Sequence, residues 1–497
     1  MKIELKRGAA DTNAGEPLYR QIAGAIRGRV ERGELNPGER LPAIRELARE
    51  LAVNRNTVSL AYETLAAAGV VESTVGRGTF VRRASSPESS PREALEPTLS
   101  PLAERLLHFE RSRPRFGSGG DAIPMHSVVP GPDLYPVEAF RKVMNRTLAR
   151  GGAKLFTYGD PQGQPRLREL LAERLQRAGI GVSPQEILLC HGASQGIALA
   201  LRLFTSPGDT VALEEPTYNN ALAATLALDL HTAAVPMRDG AVDLEALERC
   251  LSRPEVKAFY TIPTFHNPLG TSTSLAHRKA VLAIATRAGV PVIEDGYEMD
   301  LRYAGRPVPP LAALDESGLV IHLFSFSKSL FPGTRIGAVS ARGRCVGGLL
   351  ALKQATDLSD SLPLQAALAA FLESGEYDRH LGRIGRLLRG RRDAVLAALE
   401  REMPPGCHWT RPEGGYQIWL QCPEGIDSSE LLPDATAAGV LFAPGSQFHH
   451  DARASSAMRL SISMADAPQL ERGVERLAHC VRECLTQAPR MSSAVHV

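Results

Sequence analysis

The chain has 497 residues, with 57 Lys and Arg against 55 Asp and Glu, for a formal net charge of +2. That length exceeds one ordinary domain, and the near balance of charge excludes a strongly polyionic protein. No apolar run approaches the roughly 20 residues of a membrane-spanning helix, so no membrane partner is expected. The seven cysteines have neither metal-type nor redox-type spacing, Cys480 and Cys484 fitting one helical face, which points to free thiols in a reducing cytoplasm.

Charge is not spread evenly. Residues 1–83 hold 14 Lys and Arg against 10 Asp and Glu, a modest basic excess that permits a nucleic-acid partner. Within this stretch Leu18, Ile22, Ile26 and Val30 recur four apart and predict an amphipathic helix, broken by "NPGERLP". Ile44, Leu47 and Leu51 predict a short second helix. Asn54 is placed to cap a third, with an apolar stripe of Val58, Ala61, Tyr62 and Leu65 and a stop at Gly69. Two short strands around Gly76-Arg77-Gly78 complete a winged helix-turn-helix. Such a motif puts the start of its last helix into the major groove, here Asn54, Arg55, Asn56 and Thr57. Arg45 can reach phosphate or a guanine edge, Arg77 a minor groove, and Arg82 and Arg83 the backbone.

Residues 84–122 are rich in Ser, Pro, Gly and charge and read as a linker, with one helical patch in "LAERLLHFE". From 123 onward, short apolar runs alternate with helical stretches such as 194–204 and 275–288. The runs are "EILLC", "DTVALEE", "KAFYTIP", "VPVIEDG" and "LVIHLF", and the alternation predicts an α/β fold with a large, mostly parallel sheet. Residues from about 365 to 486 read as a smaller α+β lobe, and 487–497 as a disordered tail. The expected division is therefore a DNA-binding head at 1–83, a linker at 84–122 and a body at 123–486.

The body carries a cation in an apolar setting. Lys328 in "LFSFSKSLFPGTRIG" follows the strand "LVIHLF", at the carboxyl end where ligands bind in open α/β sheets. A buried lysine there has its pKa lowered and becomes a nucleophile toward an aldehyde. If that aldehyde is pyridoxal 5'-phosphate, the site also needs an acid for the ring nitrogen, a donor for the ring oxygen, an aromatic face and an anion cradle. Asp295 ends the strand "VPVIED" and supplies the acid. Tyr297 or Asn267 supplies the donor, and Tyr218 the face. The backbone N–H groups of Ala193, Ser194 and Gln195 open a helix and cradle the anion, with Ser325 and Arg335 completing the cup. His449, His450 and Asp451 have no spaced partners and read as an exposed turn; no metal site is expected.

Three resemblances follow from these stretches. Residues 17–81, with "RGELNPGERLP", Arg55-Asn56-Thr57-Val58 and the wing "GRGTFV", resemble the DNA-binding domain of GntR-class bacterial repressors, which implies Arg45 and Arg55 as DNA readers. Residues 123–486, with "GPDLYP", "YGDPQG", "HGASQGI", "EEPTYNN", "HNPLG", "SFSKSLFPGTRIG" and "RLSIS", resemble fold-type I aminotransferases. That likeness implies pyridoxal phosphate held as an internal aldimine on Lys328, Asp295 at the ring nitrogen and Arg459 on a substrate α-carboxylate. It also implies a homodimer in which Tyr158 reaches the cofactor phosphate of the neighbouring subunit. In "EDGYEMDLRY" the tyrosine stands two residues after the aspartate rather than the three commoner in aminotransferases, as in MocR-type regulators, which the head, linker and body together resemble.

The expectation is a cytoplasmic, nucleoid-associated regulator that binds double-stranded DNA and senses an amino compound, or pyridoxal phosphate itself, at Lys328. The alternative is a working aminotransferase using a carboxylate-bearing amino donor. No second arginine follows Tyr218 closely to clamp an ω-acid, which argues against a γ-aminobutyrate-type effector.

Overall fold

The computed structural model describes residues 18–74, 78–82, 97–114 and 122–487. The chain divides into two compact units, Met1–Thr98 and Leu99–Val497. Arg77 and Arg83 of the wing, most of the linker and all but the first residue of the expected tail lie outside the described residues.

In the first unit the apolar periodicity becomes three helices, α1 (Leu18–Glu31), α2 (Ile44–Glu50) and α3 (Arg55–Ala67). A hairpin of β1 (Val71–Thr74) and β2 (Gly78–Val81) follows. Ile22, Ile26, Leu47, Val58, Ala61 and Leu65 are buried together in one core; each large apolar side chain so buried contributes about 1.5–3 kcal/mol. The Asn54 side chain accepts from the Asn56 N–H at 2.9 Å and fixes where α3 begins.

The second unit opens with α4 (Pro101–Ser112), capped by Ser100, whose hydroxyl accepts from Ala103 N–H at 3.2 Å. This is the expected helical patch of the linker, and it packs on the body rather than standing free. Next come a short strand β3 (Ile123–Pro124) and helices α5 (Val137–Gly151) and α6 (Pro165–Arg177).

An eight-stranded sheet forms the centre. In chain order its strands are β4 (Ile187–Cys190), β5 (Thr210–Glu215), β6 (His231–Arg238), β7 (Ala241–Val242), β8 (Val256–Thr261), β9 (Val292–Asp295), β10 (Val320–Ser325) and β11 (Gly337–Ser340). In space they run β4-β11-β10-β9-β8-β5-β6-β7. The pairs from β10 through β9, β8 and β5 to β6 are parallel, while β11 is antiparallel to both neighbours. Helices α7 (Ala193–Phe204), α8 (Asn219–Ala227), α9 (Leu244–Leu251), α10 (Leu275–Ala288), α11 (Leu311–Leu314), α12 (Arg344–Gln354) and α13 (Leu362–Glu373) accompany it. Separate apolar cores lie on its two faces. Burial on both faces explains why β4, β5 and β10 read as unbroken apolar runs.

The smaller lobe has a four-stranded sheet of β12 (His408–Trp409), β13 (Gln417–Gln421), β15 (Ala443–Pro444) and β16 (Ala457–Ser461). Around it stand α14 (Glu376–Glu402), α15 (Ser428–Ala437) and α16 (Ala467–Gln487). β14 (Val440–Leu441) pairs with β3, so the start of the body belongs to this lobe as well. Among the described residues no helix is long and apolar enough to cross a membrane.

Candidate cofactor site and DNA-reading face

A cavity of about 240 Å³ opens at the carboxyl ends of the parallel strands. The ends of β9 and β10 bring Asp295 and Ser325 to its wall, and the turn after β10 adds Ser327 and Lys328. Ala193 and Ser194 enter from the start of α7, Tyr218 and Asn220 from the start of α8, and Asn267 from the loop after β8. Tyr297 and Arg335 close the ring, while Val128 and Val129 cover it. Lys328 Nζ donates to the Val128 carbonyl at 3.0 Å.

Each side chain is held by neighbours. Asp295 accepts from the Tyr260 hydroxyl at 2.7 Å and from the Tyr297 N–H at 3.1 Å. The Tyr297 hydroxyl donates to the Phe265 carbonyl at 3.3 Å and accepts from Gln417 Nε2 at 2.5 Å. The rings of Tyr218 and Tyr297 lie parallel, 6.4 Å between centroids and 3° between planes. Arg459 donates to Asn267 Oδ1 at 2.8 Å and to the His126 carbonyl at 2.7 Å, over the ring of Phe448. Its Nε is buried without a partner. The Tyr416 hydroxyl donates to the backbone carbonyl of Lys328 at 2.7 Å, so the smaller lobe touches the lysine directly.

The anion cradle is built from close backbone approach. Gly192, at φ +82, precedes α7, and a Cβ there would meet the Arg335 guanidinium. A Cβ on Gly337 would stand 2.8 Å from the Gly192 backbone, so the strand β11 and this loop can meet only through glycine. Arg335 itself is left-handed at φ +47 and donates to the His191 carbonyl at 2.8 Å.

Burial lowers Lys328 to about 8; Glu298 opposes that shift, while Arg459 and Arg335 add to it. Burial raises Asp295 to about 6, against the pull of the Tyr260 hydroxyl and the Tyr297 N–H. Arg459 is lowered by burial to about 10. Burial thus brings both the amine and the acid toward neutrality from their ordinary ranges, and a cation bound beside Asp295 would favour its ionised form.

The sequence-predicted residues Lys328, Asp295, Tyr297, Asn267, Tyr218, Ala193, Ser194, Ser325 and Arg335 all line this one cavity. Arg459 stands behind Asn267. The Gln195 side chain turns away, accepting from the His191 N–H and donating to Asp357, so that its backbone alone belongs to the helix start. Tyr158 is 82% exposed and outside the cavity of its own chain. Sequence reasoning missed Ser327, Tyr260, Glu298 and Asn220. Ser327 was visible as the small residue directly before the lysine, and its hydroxyl is buried without a partner. The exposed turn expected at 449–451 is corrected for His449, which turns inward to buried Glu215 at 2.6 Å, because that carboxylate at the end of β5 needs a partner. In the head, Arg45, Arg55 and Asn56 are exposed and Thr57 is half-buried, while Arg77 is outside the described residues.

The buried amine, the strand-end acid, the orphaned Ser327 hydroxyl and the glycine cradle fit pyridoxal phosphate. Fold and site define a pyridoxal-phosphate-binding transferase body attached to a winged helix. Residues 129–477 match the family described as aminotransferase class I and II, and residues 18–81 match bacterial regulatory proteins of the gntR family. Aromatic-amino-acid aminotransferase 1 of Thermococcus litoralis is 36% identical over 73% of this chain and 88% of its own. The uncharacterized HTH-type transcriptional regulator YdcR of Escherichia coli K12 is 31% identical over 94% of this chain and 99% of its own. The crystal structure of the multiple substrate aminotransferase from Thermococcus profundus superposes with a TM-score of 0.71 at 33% identity, covering 80% of this chain and 98% of that one. The chain belongs to the class I and II aminotransferase family and, head included, to the MocR-type regulators; its cofactor is pyridoxal 5'-phosphate.

Proposed function

We propose that this protein is a pyridoxal-phosphate-dependent transcriptional regulator that reads double-stranded DNA with its head and senses an amino compound in the cavity around Lys328. The observation that carries this reading is the match to an HTH-type regulator over nearly the whole of both chains, head included. Bound pyridoxal phosphate supplies an aldehyde that condenses with primary amines. Lys328 holds that aldehyde, Asp295 faces the ring nitrogen, and Tyr297 and Asn267 face the ring oxygen. Tyr218 lies against the ring, and the start of α7 with Ser325, Ser327 and Arg335 receives the phosphate. Arg459 receives a carboxylate on the effector. Arg45, Arg55, Asn56, Thr57 and Arg77 contact DNA.

The regulator works in this reading as a cytoplasmic homodimer, associated with the nucleoid when bound to DNA, with cofactor sites shared between subunits. Phe156 and Tyr158 are 72% and 82% exposed, and Leu358 is 66% exposed. Gly159 N–H donates to Ser359 at 3.3 Å, which joins the two segments into one apolar lip. Such a lip favours a second copy as its cover.

A gel shift on DNA upstream of the protein's own gene tests the function. Binding that responds to pyridoxal phosphate or amines, and is lost in Arg45→Ala/Arg55→Ala, is the expected result. DNA binding indifferent to both would overturn it. A second reading, aminotransferase catalysis, is favoured by the completeness of the cavity; steady turnover of an amino acid with a keto acid would establish it. Sensing of pyridoxal phosphate alone corresponds to a shift that needs the cofactor and no amine.

A further inference from the structure

The helix that opens the body ends next to the cofactor cavity. Arg113, the residue after α4, donates through Nη2 to the Asn219 carbonyl at 3.3 Å and to Asn220 Oδ1 at 3.2 Å. Asn220 Nδ2 in turn donates to the Tyr218 hydroxyl at 2.9 Å. Asn220 and Tyr218 both line the cavity. The guanidinium is fixed from its other side by the Phe109 ring, 4.8 Å away, and by Glu110 at 3.0 Å. At the far end of the helix Arg105 is ion-paired with Asp229, just beyond the last turn of α8. Helix α4 is therefore strapped antiparallel along α8, whose first residue follows Tyr218.

We propose that Arg113 and Asn220 are positioning residues that hold the Tyr218 hydroxyl and make α4 respond to what occupies the cofactor cavity. The inference rests on the regulator reading, because it gives the cavity a route toward the segment that leads to the head. A side-chain amide has a donor side and an acceptor side. Here the donor side is committed to Tyr218 and the acceptor side to a cation, so the amide cannot turn to follow one partner without losing the other. A ligand that shifts the Tyr218 ring therefore loads or releases the grip of Arg113. The position two residues after Tyr218 has no arginine of its own, and the guanidinium behind Asn220 comes from α4 instead.

Hydrogen exchange of the full-length protein tests this, with pyridoxal phosphate as the probe and cofactor absorbance as the record of loading. In the unsubstituted protein, loading is expected to slow exchange of the amides of residues 102–112 by roughly 3-fold or more, a measurable change in local opening. Tyr218→Phe keeps the ring and removes the hydroxyl; Asn220→Ala removes the amide. At saturating cofactor both are expected to load yet show the same α4 exchange loaded and free, while Arg113→Lys recovers part of the response lost in Arg113→Ala. A purely structural strap would give faster exchange in Arg113→Ala with the difference between loaded and free intact. That result, or an α4 that does not respond in the unsubstituted protein, overturns the proposal. Absence of cofactor absorbance in the unsubstituted protein is a different failure, which sinks the reading of the cavity itself.

Discussion

Arg459 of the smaller lobe donates to the side-chain oxygen of Asn267 in the loop after β8, at 2.8 Å, and so joins the two halves of the cavity. The same bond occupies the Asn267 oxygen, so that in the proposed arrangement its Nδ2 group is the part that would meet the ring oxygen of the cofactor. One residue of the larger lobe thus positions the arginine expected to receive a carboxylate.

Arg459→Lys keeps the charge and loses the planar fork that bonds Asn267 and the His126 carbonyl together. Affinity for a carboxylate-bearing amine is expected to fall by about 10-fold or more, with a smaller effect on cofactor uptake through the lost bond to Asn267. Titration of the loaded protein with amino acids, followed by cofactor absorbance, measures both. Equal affinity in the variant would remove Arg459 from the effector site.

Asp295 carries a predictable conflict between stability and binding. Its folded pKa of about 6 exceeds the ordinary 3.8, so between those pH values the folded, cofactor-free protein holds a proton that the unfolded chain releases. Its contribution to stability is complete below about pH 4 and lost as pH rises through about 6, up to ~3 kcal/mol. Asp295→Asn is therefore expected to melt higher than the unsubstituted protein at neutral pH when both lack cofactor, yet to bind pyridoxal phosphate at least about 10-fold more weakly, or about 1.4 kcal/mol. Melting curves from pH 4 to pH 8 and a cofactor titration check the two halves.

The buried carboxylate of Glu298 raises the pKa of Lys328 against burial, Arg459 and Arg335. Glu298→Gln removes that support, and the free-base amine is expected to appear at lower pH. The pH dependence of the rate at which cofactor-free protein takes up pyridoxal phosphate reads this directly. A midpoint that moves to higher pH would contradict the assignment.

Gly337→Ala places a methyl group 2.8 Å from the Gly192 backbone, in contact that cannot relax by side-chain rotation. The loop before α7 must move, and with it the amides expected to cradle the phosphate. Weaker uptake of pyridoxal phosphate, with much less effect on pyridoxal, is the expected pattern in an equilibrium titration.

In the head, Arg45→Ala and Arg55→Ala remove exposed cations from α2 and from the start of α3. If Arg45 contacts phosphate, its loss lowers the slope of log affinity against log salt by about 1. If Arg55 reads a base, its loss relaxes sequence preference at about 1–3 kcal/mol. Cofactor absorbance should be the same in both variants.

The head was legible because its signals are local. The Asn54 cap, the stripe of Val58, Ala61, Tyr62 and Leu65 and the hairpin all act within a few residues. The cavity was legible where a side chain follows a buried strand, as Asp295 follows β9 and Lys328 follows β10. Strand β11 was not foreseen: Gly337–Ser340 is short, and its place is set by antiparallel pairing with β10 and β4 rather than by its own propensity. Glu298 carried no distinguishing signal in "EDGYEMDLRY"; it is 1% exposed because it packs against Gln417 of the smaller lobe. Helix α4 was legible as the linker's helical patch, but its place on the body was not, because its partners Asp229 and Asn220 lie more than a hundred residues away.

The hydrogen bond from the Tyr416 hydroxyl to the Lys328 carbonyl has a mechanical consequence. Tyr416 immediately precedes β13, the smaller lobe's strand next to Arg459 on β16. Rotation of that lobe must either break the bond or drag the lysine's backbone along. The lobe that carries Arg459 therefore also grips the backbone of Lys328, so a displacement of that lobe is felt at the lysine without passing through the cavity.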